Sequence, residues 1–388
     1  MTQVLSARQI LEKLVSFNTV TSESNLPLLD WVEEYLGGFG VSCTRVPTPD
    51  GQKASLYAHI GPEIAGGVIL SGHTDVVPVA GQAWDTDPFT VVEKDGKLFG
   101  RGTCDMKGFD ALALAAVPLA LERGIKRPLQ IALSRDEEIG CVGAPEMIEH
   151  MVLSGMPRAS AAIIGEPSMM HAVTGHKGGT GLHTHIHGFE VHSSLMHTGV
   201  AAVHEAAKLI TWANEQNALN RAKTPSPLDA TFEPPWTTVF VGVIHGGTAN
   251  NITAKDCEFT MTFRVVPGES MADWKAAYLA KVAEVEAEMQ AVVPETRIEI
   301  TPTFDVPGLR PEDQGEAEAL VRQLTGDNGT HVVSYGTEAG QFQERGYSSV
   351  ICGPGSIEQA HQPNEFISLE QFAKGEQFMA DLVDTLCK

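Results

Sequence analysis

The stretch LSGHTDVVP (residues 70–78) joins an apolar, strand-like run to polar side chains at its end. A buried strand is usually followed by Gly, Pro or Asn, whereas this one is followed by His73 and Asp75. These two residues are two positions apart, so in an extended chain their side chains point to the same side. In an α/β sheet, chemistry is placed just past the carboxyl ends of the strands. The stretch therefore predicts a functional site at one edge of a sheet.

Strand-like and helix-like segments alternate around this stretch. Ser6 and Gln9 form a capping-box pattern that predicts a helix over 7–17. An alanine- and leucine-rich helix is predicted over 108–122, and buried strands are predicted over 128–134 and 161–164. This alternation predicts an α/β fold with a mostly parallel sheet covered by helices on both faces.

The pattern changes in the middle of the chain. From about residue 175 to 303 the predicted order is strand, helix, strand, strand, helix, strand, with TTVFVGVIHGG (237–247) as one strand. That order is typical of a ferredoxin-like α/β sandwich. We therefore predict one domain built from residues 1–175 and 305–388, interrupted by an inserted domain at residues 176–304.

The composition excludes several classes of partner. The 388-residue chain has 27 Lys and Arg against 49 Asp and Glu, a net charge of -22. This charge argues against binding to nucleic acid or to anionic membranes. No apolar run has the length of a membrane span, and the N-terminus lacks the shape of a signal peptide. The six cysteines include no CxxC pair, so we expect reduced thiols in a cytoplasmic protein.

Five short polar motifs follow strands or lie in nearby loops: HTD (73–75), CDMKG (104–108), DEE (136–138), GEP (165–167) and AHQPNE (360–365). Each motif alone is more typical of a solvated turn or a structural histidine. The first four, however, follow predicted parallel strands, which would bring them to one edge of one sheet. Clustered carboxylates repel one another unless a cation neutralises them. Carboxylates with imidazoles are ligands of zinc and related metals, so the motifs together predict a metal site.

Three histidines alternate in LHTHIHG (182–188) and would share one face of a strand: His183, His185 and His187. No acid or cysteine accompanies them in the local sequence. We therefore interpret them as a polar sheet face rather than a further metal site.

The motifs GHTDVV, GRGTCDMKG, DEEIG, GEPS and AHQPNEF, in this order and over nearly the whole chain, resemble the zinc-dependent M20 family of amidohydrolases and peptidases. The segment beginning SYGTEAG (334–340) resembles the acetylornithine deacetylase branch of that family. The resemblance implies hydrolysis of an N-acyl amino acid, with N2-acetyl-L-ornithine as the expected substrate in arginine biosynthesis. Acetylcitrulline, succinyl-diaminopimelate or a dipeptide are alternative substrates, and a metal-stabilised binding protein without catalysis is a different alternative. A cytoplasmic homodimer with an inserted lid and dimerisation domain is also implied.

The resemblance implies a ligand set for two zinc ions per subunit, which cobalt can replace. His73 and Glu166 would hold one ion, and Glu138 and His361 would hold the other. Asp105 would bridge the two ions.

The resemblance also implies the groups that act around the metals. Asp75 would accept the ring N–H of His73 and so orient it. Glu137 would be the general base that takes a proton from the attacking water and delivers it to the leaving amine. The opposite assignment, with Glu137 as ligand and Glu138 as base, stays open.

Four further residues are candidates by the resemblance. His192, in GFEVHSS, would reach the active site of the other subunit and bind the oxyanion, although it could also belong to a helix start. Asn251 and Arg264 would bind substrate, Arg264 as a planar fork for a carboxylate, although an arginine at a strand end is often a surface residue. Glu338 would lie in the substrate pocket and attract the side-chain ammonium of ornithine.

Overall fold

The computed structural model describes residues 3–388. The strands are β1 (Cys43–Pro47), β2 (Ala54–Ile60), β3 (Val68–His73), β4 (Val92–Lys94), β5 (Lys97–Phe99), β6 (Leu129–Ser134), β7 (Ala161–Pro167), β8 (Val173–His176), β9 (Gly178–His187), β10 (Thr238–Phe240), β11 (Ile244–Gly246), β12 (Asp256–Val265), β13 (Arg297–Val306), β14 (His331–Val333), β15 (Ser348–Gly353) and β16 (Phe366–Ser368). The α-helices are α1 (Ala7–Val15), α2 (Leu26–Gly37), α3 (Lys107–Arg123), α4 (Ala144–Leu153), α5 (Ala202–Ala222), α6 (Met271–Val292), α7 (Glu316–Thr325), α8 (Ala339–Glu344) and α9 (Leu369–Leu386). These elements fall into two compact units.

The first unit contains the chain up to Gly175 together with Leu309–His331 and Thr337–Lys388. Its main sheet has the strand order β1-β2-β6-β3-β7-β15-β8. The four central strands, β6, β3, β7 and β15, run parallel, and antiparallel strands flank them. The predicted α/β class with a mostly parallel sheet is confirmed, with β1 and β2 as antiparallel strands beside β6 that the sequence analysis did not identify.

Both faces of this sheet are buried. Alternate residues of β6 (Leu129, Ile131 and Leu133) pack into one core with helices α1, α2, α3 and α9. The residues between them, such as Ala132, are equally buried but face the opposite side. Continuous burial of this kind is typical of parallel strands covered by helices on both faces.

The helix ends follow local sequence signals. Ser6 accepts the backbone N–H of Gln9, and the Gln9 side chain accepts the N–H of Ser6, so the predicted capping box is confirmed. Helix α3 ends at Gly124, whose φ of 65° lies in the left-handed region that glycine adopts without strain.

The second unit contains His176–Gly308 and Val332–Gly336. Its antiparallel sheet has the order β10-β12-β9-β13, which gives the ferredoxin-like arrangement with α5 and α6 as the two helices. Leu182 and Ile186 of β9 pack with Leu209 of α5 and Tyr278 of α6 in one core. The helices therefore cover one face of the sheet. The sequence analysis did not predict that residues 332–336 belong to this unit. The domain limits proposed from the sequence stay a prediction.

The single strand predicted over 237–247 is wrong, because two short strands replace it. From Phe240 to Ile244 the chain advances by four residues, while the paired strand β12 advances only from Thr262 to Phe259, three residues. The extra residue cannot be matched in the ladder, so the chain bulges between β10 and β11.

Gly165 lies where β7 approaches α3 most closely. A Cβ atom at this position would be 2.0 Å from the ring of Phe109. Only a residue without a side chain allows β7, which carries Glu166, to pack this closely against helix α3.

We predict that Gly165→Ala lowers the free energy of unfolding by about 1–3 kcal/mol, because the added methyl overpacks the α3–β7 contact. Chemical unfolding of the full chain measures the change. Gly37→Ala is the matched control, since nothing lies within 4 Å of a Cβ at that position. Equal stability of the two variants would contradict the prediction.

Candidate metal centre

Four neighbouring parallel strands bring candidate ligands to one sheet edge. His73 is the last residue of β3, and Glu137 and Glu138 lie three and four residues after the end of β6. Glu166 lies near the end of β7, and His361 comes in the loop after β15. Because these strands are adjacent in the order β6-β3-β7-β15, their carboxyl ends form one rim.

Asp105 reaches this rim from a different sheet. The strand before CDMKG is β5, which pairs antiparallel with β4 and β16 in a separate three-stranded sheet. Our expectation that this motif follows a strand of the parallel sheet is therefore wrong. Asp105 instead stands two residues before the first residue of α3, and the packing of that helix on the main sheet brings it to the rim.

The carboxylate of Asp105 lies between two imidazoles. Its Oδ1 is 3.0 Å from His73 Nε2, and its Oδ2 is 3.2 Å from His361 Nε2. On the first side, Glu166 Oε1 is 3.8 Å from His73 Nε2. On the second side, Glu138 Oε2 is 2.9 Å from His361 Nε2. The five residues thus form two His–carboxylate pairs joined by one central carboxylate.

Glu137 also lies beside this cluster. One of its oxygens is within 4.8 Å of ligand atoms of both His73 and Glu166. Its Oε1 accepts a hydrogen bond from the Cys141 thiol, 3.0 Å away. Glu137 therefore lies near His73 and Glu166, whereas Glu138 contacts His361 and also has an oxygen within 4.8 Å of His73 and Asp105.

The first acid of the DEE motif is neutralised by cations of the fold. Asp136 pairs with Lys53 through one oxygen and with Arg135 Nη1 through the other, 2.8 Å away. Glu137 and Glu138 have no such lysine or arginine partner within residues 3–388. A single run of three acids is thus divided into one structural ion pair and two groups directed at the centre.

Asp75 differs from the expected role. The Nδ1 of His73 is 2.9 Å from the backbone carbonyl of Asp75, whereas its carboxylate oxygen is 3.8 Å away. The carboxylate instead accepts the backbone N–H groups of Glu137 (3.1 Å) and Glu138 (3.2 Å). Asp75 therefore orients His73 through its backbone and the acidic pair through its side chain.

The donor set fits divalent metal ions. Burial and the charge of Asp105 raise the pKa of Glu138 to about 8, and the same two causes raise the pKa of Glu166. Hydrogen bonds to Asp105 and Glu138 raise the pKa of His361 to about 10. Glu138 Oε1 is buried without a hydrogen-bond partner. A bound cation would neutralise these crowded acids. It would also contact the buried carboxylate oxygen that lacks a hydrogen-bond donor.

A buried ion pair that the sequence analysis missed supports the centre. Arg101 Nη1 is 2.7 Å from Glu365 Oε2, and both side chains are 1% exposed. Glu365 Oε1 accepts the backbone N–H groups of Cys104 (2.9 Å) and Asp105 (3.0 Å). Gln82 connects Arg101 to the backbone carbonyl of His361. The pair therefore holds the segments that carry Asp105 and His361, and its two residues stand inside the motifs GRGTCDMKG and AHQPNE.

Glu338 lies in the interior of the first unit. It is 1% exposed, its Oε2 accepts a hydrogen bond from Ser71 Oγ 3.4 Å away, and its Oε1 has no hydrogen-bond partner. Burial and the nearby Glu137 raise its pKa to about 8. Glu338 is the residue before α8, and its side chain makes no capping hydrogen bond there. Its predicted contact with a substrate ammonium stays a prediction.

The three remaining candidates lie in the second unit. His192 and Asn251 come together, since His192 pairs with Ile252 in an isolated bridge and the N–H of Ser193 donates to the carbonyl of Asn251, 2.8 Å away. His192 Nδ1 accepts the N–H of Ser194, so a neutral imidazole carries its proton on Nε2. Arg264 lies on β12, directly opposite Gly179 of β9, with its side chain exposed.

Comparison with known proteins identifies the class of protein. Residues 69–385 match the Peptidase family M20/M25/M40. The acetylornithine deacetylase of Myxococcus xanthus is 34% identical over 385 residues, which cover 98% of this chain and 97% of the relative. The chain therefore belongs to the M20 family and is a hydrolase of the amidohydrolase and peptidase type.

Solved structures show the same fold. The M20 family metallo-carboxypeptidase Sso-CP2 from Sulfolobus solfataricus superposes with a TM-score of 0.78 at 16% identity, over 98% of this chain and 99% of the other. The YXEP protein of Bacillus subtilis, described as a dinuclear metal binding peptidase, has a TM-score of 0.65 at 15% identity, over 98% and 97% of the two chains.

We predict that Arg101→Met destabilises the protein by roughly 3–5 kcal/mol, because it leaves the buried Glu365 without its counter-charge. Chemical unfolding of the metal-loaded protein measures the loss. Arg8→Met is the control, since Arg8 forms ion pairs with Glu12 and Glu93 at the surface, where such pairs contribute little. If the two variants unfold at the same denaturant concentration, the buried pair does not have this role.

Proposed function

We propose that this protein is a zinc-dependent amidohydrolase that converts N2-acetyl-L-ornithine to L-ornithine and acetate, a step of arginine biosynthesis. The observation that carries the proposal is the division of the Asp105 carboxylate between His73 and His361, each beside a glutamate. The full-length similarity to an acetylornithine deacetylase supports the substrate.

Two zinc ions would be held by the five residues of the rim. His73 and Glu166 suit one ion, Glu138 and His361 suit the other, and each oxygen of Asp105 faces one pair. When bound, the ions supply acidification of water and polarisation of the acyl carbonyl. The dinuclear description of the YXEP protein supports two ions rather than one. Cobalt suits the same ligands.

Glu137 is the proposed general base and acid. It takes a proton from the attacking water and then delivers this proton to the nitrogen of the leaving amino acid. Its backbone N–H is held by Asp75 and its carboxylate by the thiol of Cys141, so the group is oriented by contacts on two sides. Glu138 is directed at His361 and is the better ligand of the two.

His192 is the proposed donor to the oxyanion, acting on the active site of the other subunit of a homodimer. The backbone N–H of Ser194 donates a hydrogen bond to Nδ1 of His192, so the neutral ring carries its proton on Nε2. A donating Nε2–H is the group that a developing oxyanion requires.

Asn251 and Arg264 are the proposed substrate-binding residues. Asn251 is exposed, and its backbone carbonyl accepts the N–H of Ser193, the residue after His192. Asn251 and His192 therefore lie close together. Arg264 is an exposed guanidinium on a regular strand, and its planar fork suits the α-carboxylate of an amino acid.

The proposed location is the cytoplasm. Within residues 3–388, no helix combines the length and apolar character needed to cross a bilayer. The six cysteines are all free thiols, which suits a reducing compartment.

Glu137→Gln and Glu138→Gln test the roles of the adjacent acids as a matched pair. We expect Glu137→Gln to keep its zinc content and to lose about 10²–10⁴-fold in kcat, because only proton transfer is removed. We expect Glu138→Gln to lose zinc. Elemental analysis and steady-state kinetics measure both. Loss of zinc only in Glu137→Gln would reverse the assignment.

A substrate panel tests the specificity. We expect zinc-loaded protein to release amine fastest from acetylornithine, ahead of acetylcitrulline, acetylmethionine, succinyl-diaminopimelate and a dipeptide. A dipeptide in first place would favour a peptidase, the function named for the carboxypeptidase of the same fold. Two bound metals without turnover of any substrate would favour a binding protein.

Mixing two inactive variants tests whether His192 acts across subunits. In a heterodimer of Glu137→Gln and His192→Asn chains, one site would combine an intact Glu137 with the partner's intact imidazole. Random exchange of subunits should therefore restore about a quarter of the wild-type activity. No recovery after exchange, with heterodimers present by native mass spectrometry, would contradict this arrangement.

A further inference from the structure

The second unit has a sheet with one uncovered face. Leu182, Thr184 and Ile186 of β9 are buried beneath α5 and α6, where Thr184 Oγ1 contacts Tyr278 Oη at 2.6 Å. The residues between them point to the opposite, solvent-accessible side. These are His183, His185 and His187, the alternating histidines of LHTHIHG.

Acids from both neighbouring strands surround these histidines, contrary to our expectation that none accompanies them. His185 Nε2 is 3.1 Å from Asp256 Oδ1, and His187 Nδ1 is 3.5 Å from the same oxygen. On the other side, His187 Nε2 is 3.2 Å from Glu299 Oε2. The acids are distant in sequence and are brought in by the pairing of β12 and β13 with β9.

We propose that His185, His187 and Glu299 form a binding site for a divalent transition-metal ion of the zinc class, separate from the centre in the first unit. Asp256 lies beside both imidazoles and contacts the Nδ1 of His187, the ring nitrogen opposite the one that faces Glu299. One ligand atom from each of the three residues lies within 4.8 Å of the others. Two imidazoles with carboxylates are a ligand set that zinc, nickel and copper accept.

The contact between His187 and Glu299 places two candidate ligand atoms side by side. His187 Nε2 is buried and has no hydrogen-bond partner, although Glu299 Oε2 is only 3.2 Å away. Tetrahedral zinc with ligand distances of about 2.0–2.2 Å separates two ligand atoms by about 3.3–3.6 Å. The observed separation of 3.2 Å is close to this distance, so a small shift of either side chain accommodates an ion.

The negative charge of Asp256 and Glu299 favours binding of a cation at this site. Across the described chain, Asp256 has ion-pair contacts only with His185 and His187. Glu299 gives one oxygen to Arg297 Nε, 2.8 Å away, and directs the other at His187. Asp256 and Glu299 are about half-exposed, so a hydrated ion can approach from solvent.

The test counts zinc ions in the full-length protein. Wild type, His185→Asn/His187→Asn and Glu299→Gln are equilibrated by dialysis at one buffered free Zn²⁺ concentration, and zinc per chain is measured by elemental analysis. We expect both variants to hold one zinc ion fewer per chain than the wild type. Their hydrolase activity should stay unchanged, because the centre in the first unit is intact. Glu299→Gln, an exposed substitution, serves if the double variant does not fold.

His183→Asn is the matched control. His183 lies on the same strand and face but contacts Glu258, 3.7 Å away, instead of the proposed ligands. We expect this variant to keep the wild-type zinc content. Equal zinc content in all four proteins would overturn the proposal, and so would loss of the ion in His183→Asn, since a different group of residues would then hold it.

Discussion

The first unit depends on one electrostatic constraint, the accumulation of carboxylates at a single sheet rim. Asp105, Glu138 and Glu166 lie close enough for burial and mutual repulsion to raise the pKa values of both glutamates. Asp105 relieves part of this repulsion by dividing its oxygens between His73 and His361. The remaining excess of negative charge is what makes the rim a place for cations.

The surrounding structure separates the charges that serve the fold from those that serve the centre. Asp136 is neutralised by Lys53 and Arg135, and the Arg101–Glu365 ion pair is fully buried. Such pairs contribute little net stability because burial of the charges offsets their attraction. Their value here is positional, since Glu365 holds the backbone of Asp105.

The two units bury their sheets differently, and this difference decides where polar clusters arise. The parallel sheet is covered on both faces, and its cluster of acids and histidines lies at the carboxyl rim. The antiparallel sheet is covered on one face only, which leaves the row of His183, His185 and His187 open to solvent. One unit therefore gathers its acids and histidines at the carboxyl ends of strands, and the other gathers them on one face of its sheet.

The sequence by itself determined the fold class, the family, the order of the motifs and the chemical types of the rim residues, because these follow from local periodicity and from short motifs. Only the tertiary structure decided which groups meet. Glu365 lies 260 residues from Asp105, β5 belongs to a separate sheet, and Glu338 points into the interior. Likewise, the acids beside His185 and His187 come from other strands, whose register no local pattern encodes. Contacts between segments that are distant in sequence are set by sheet order, strand register and packing, and these depend on the whole chain.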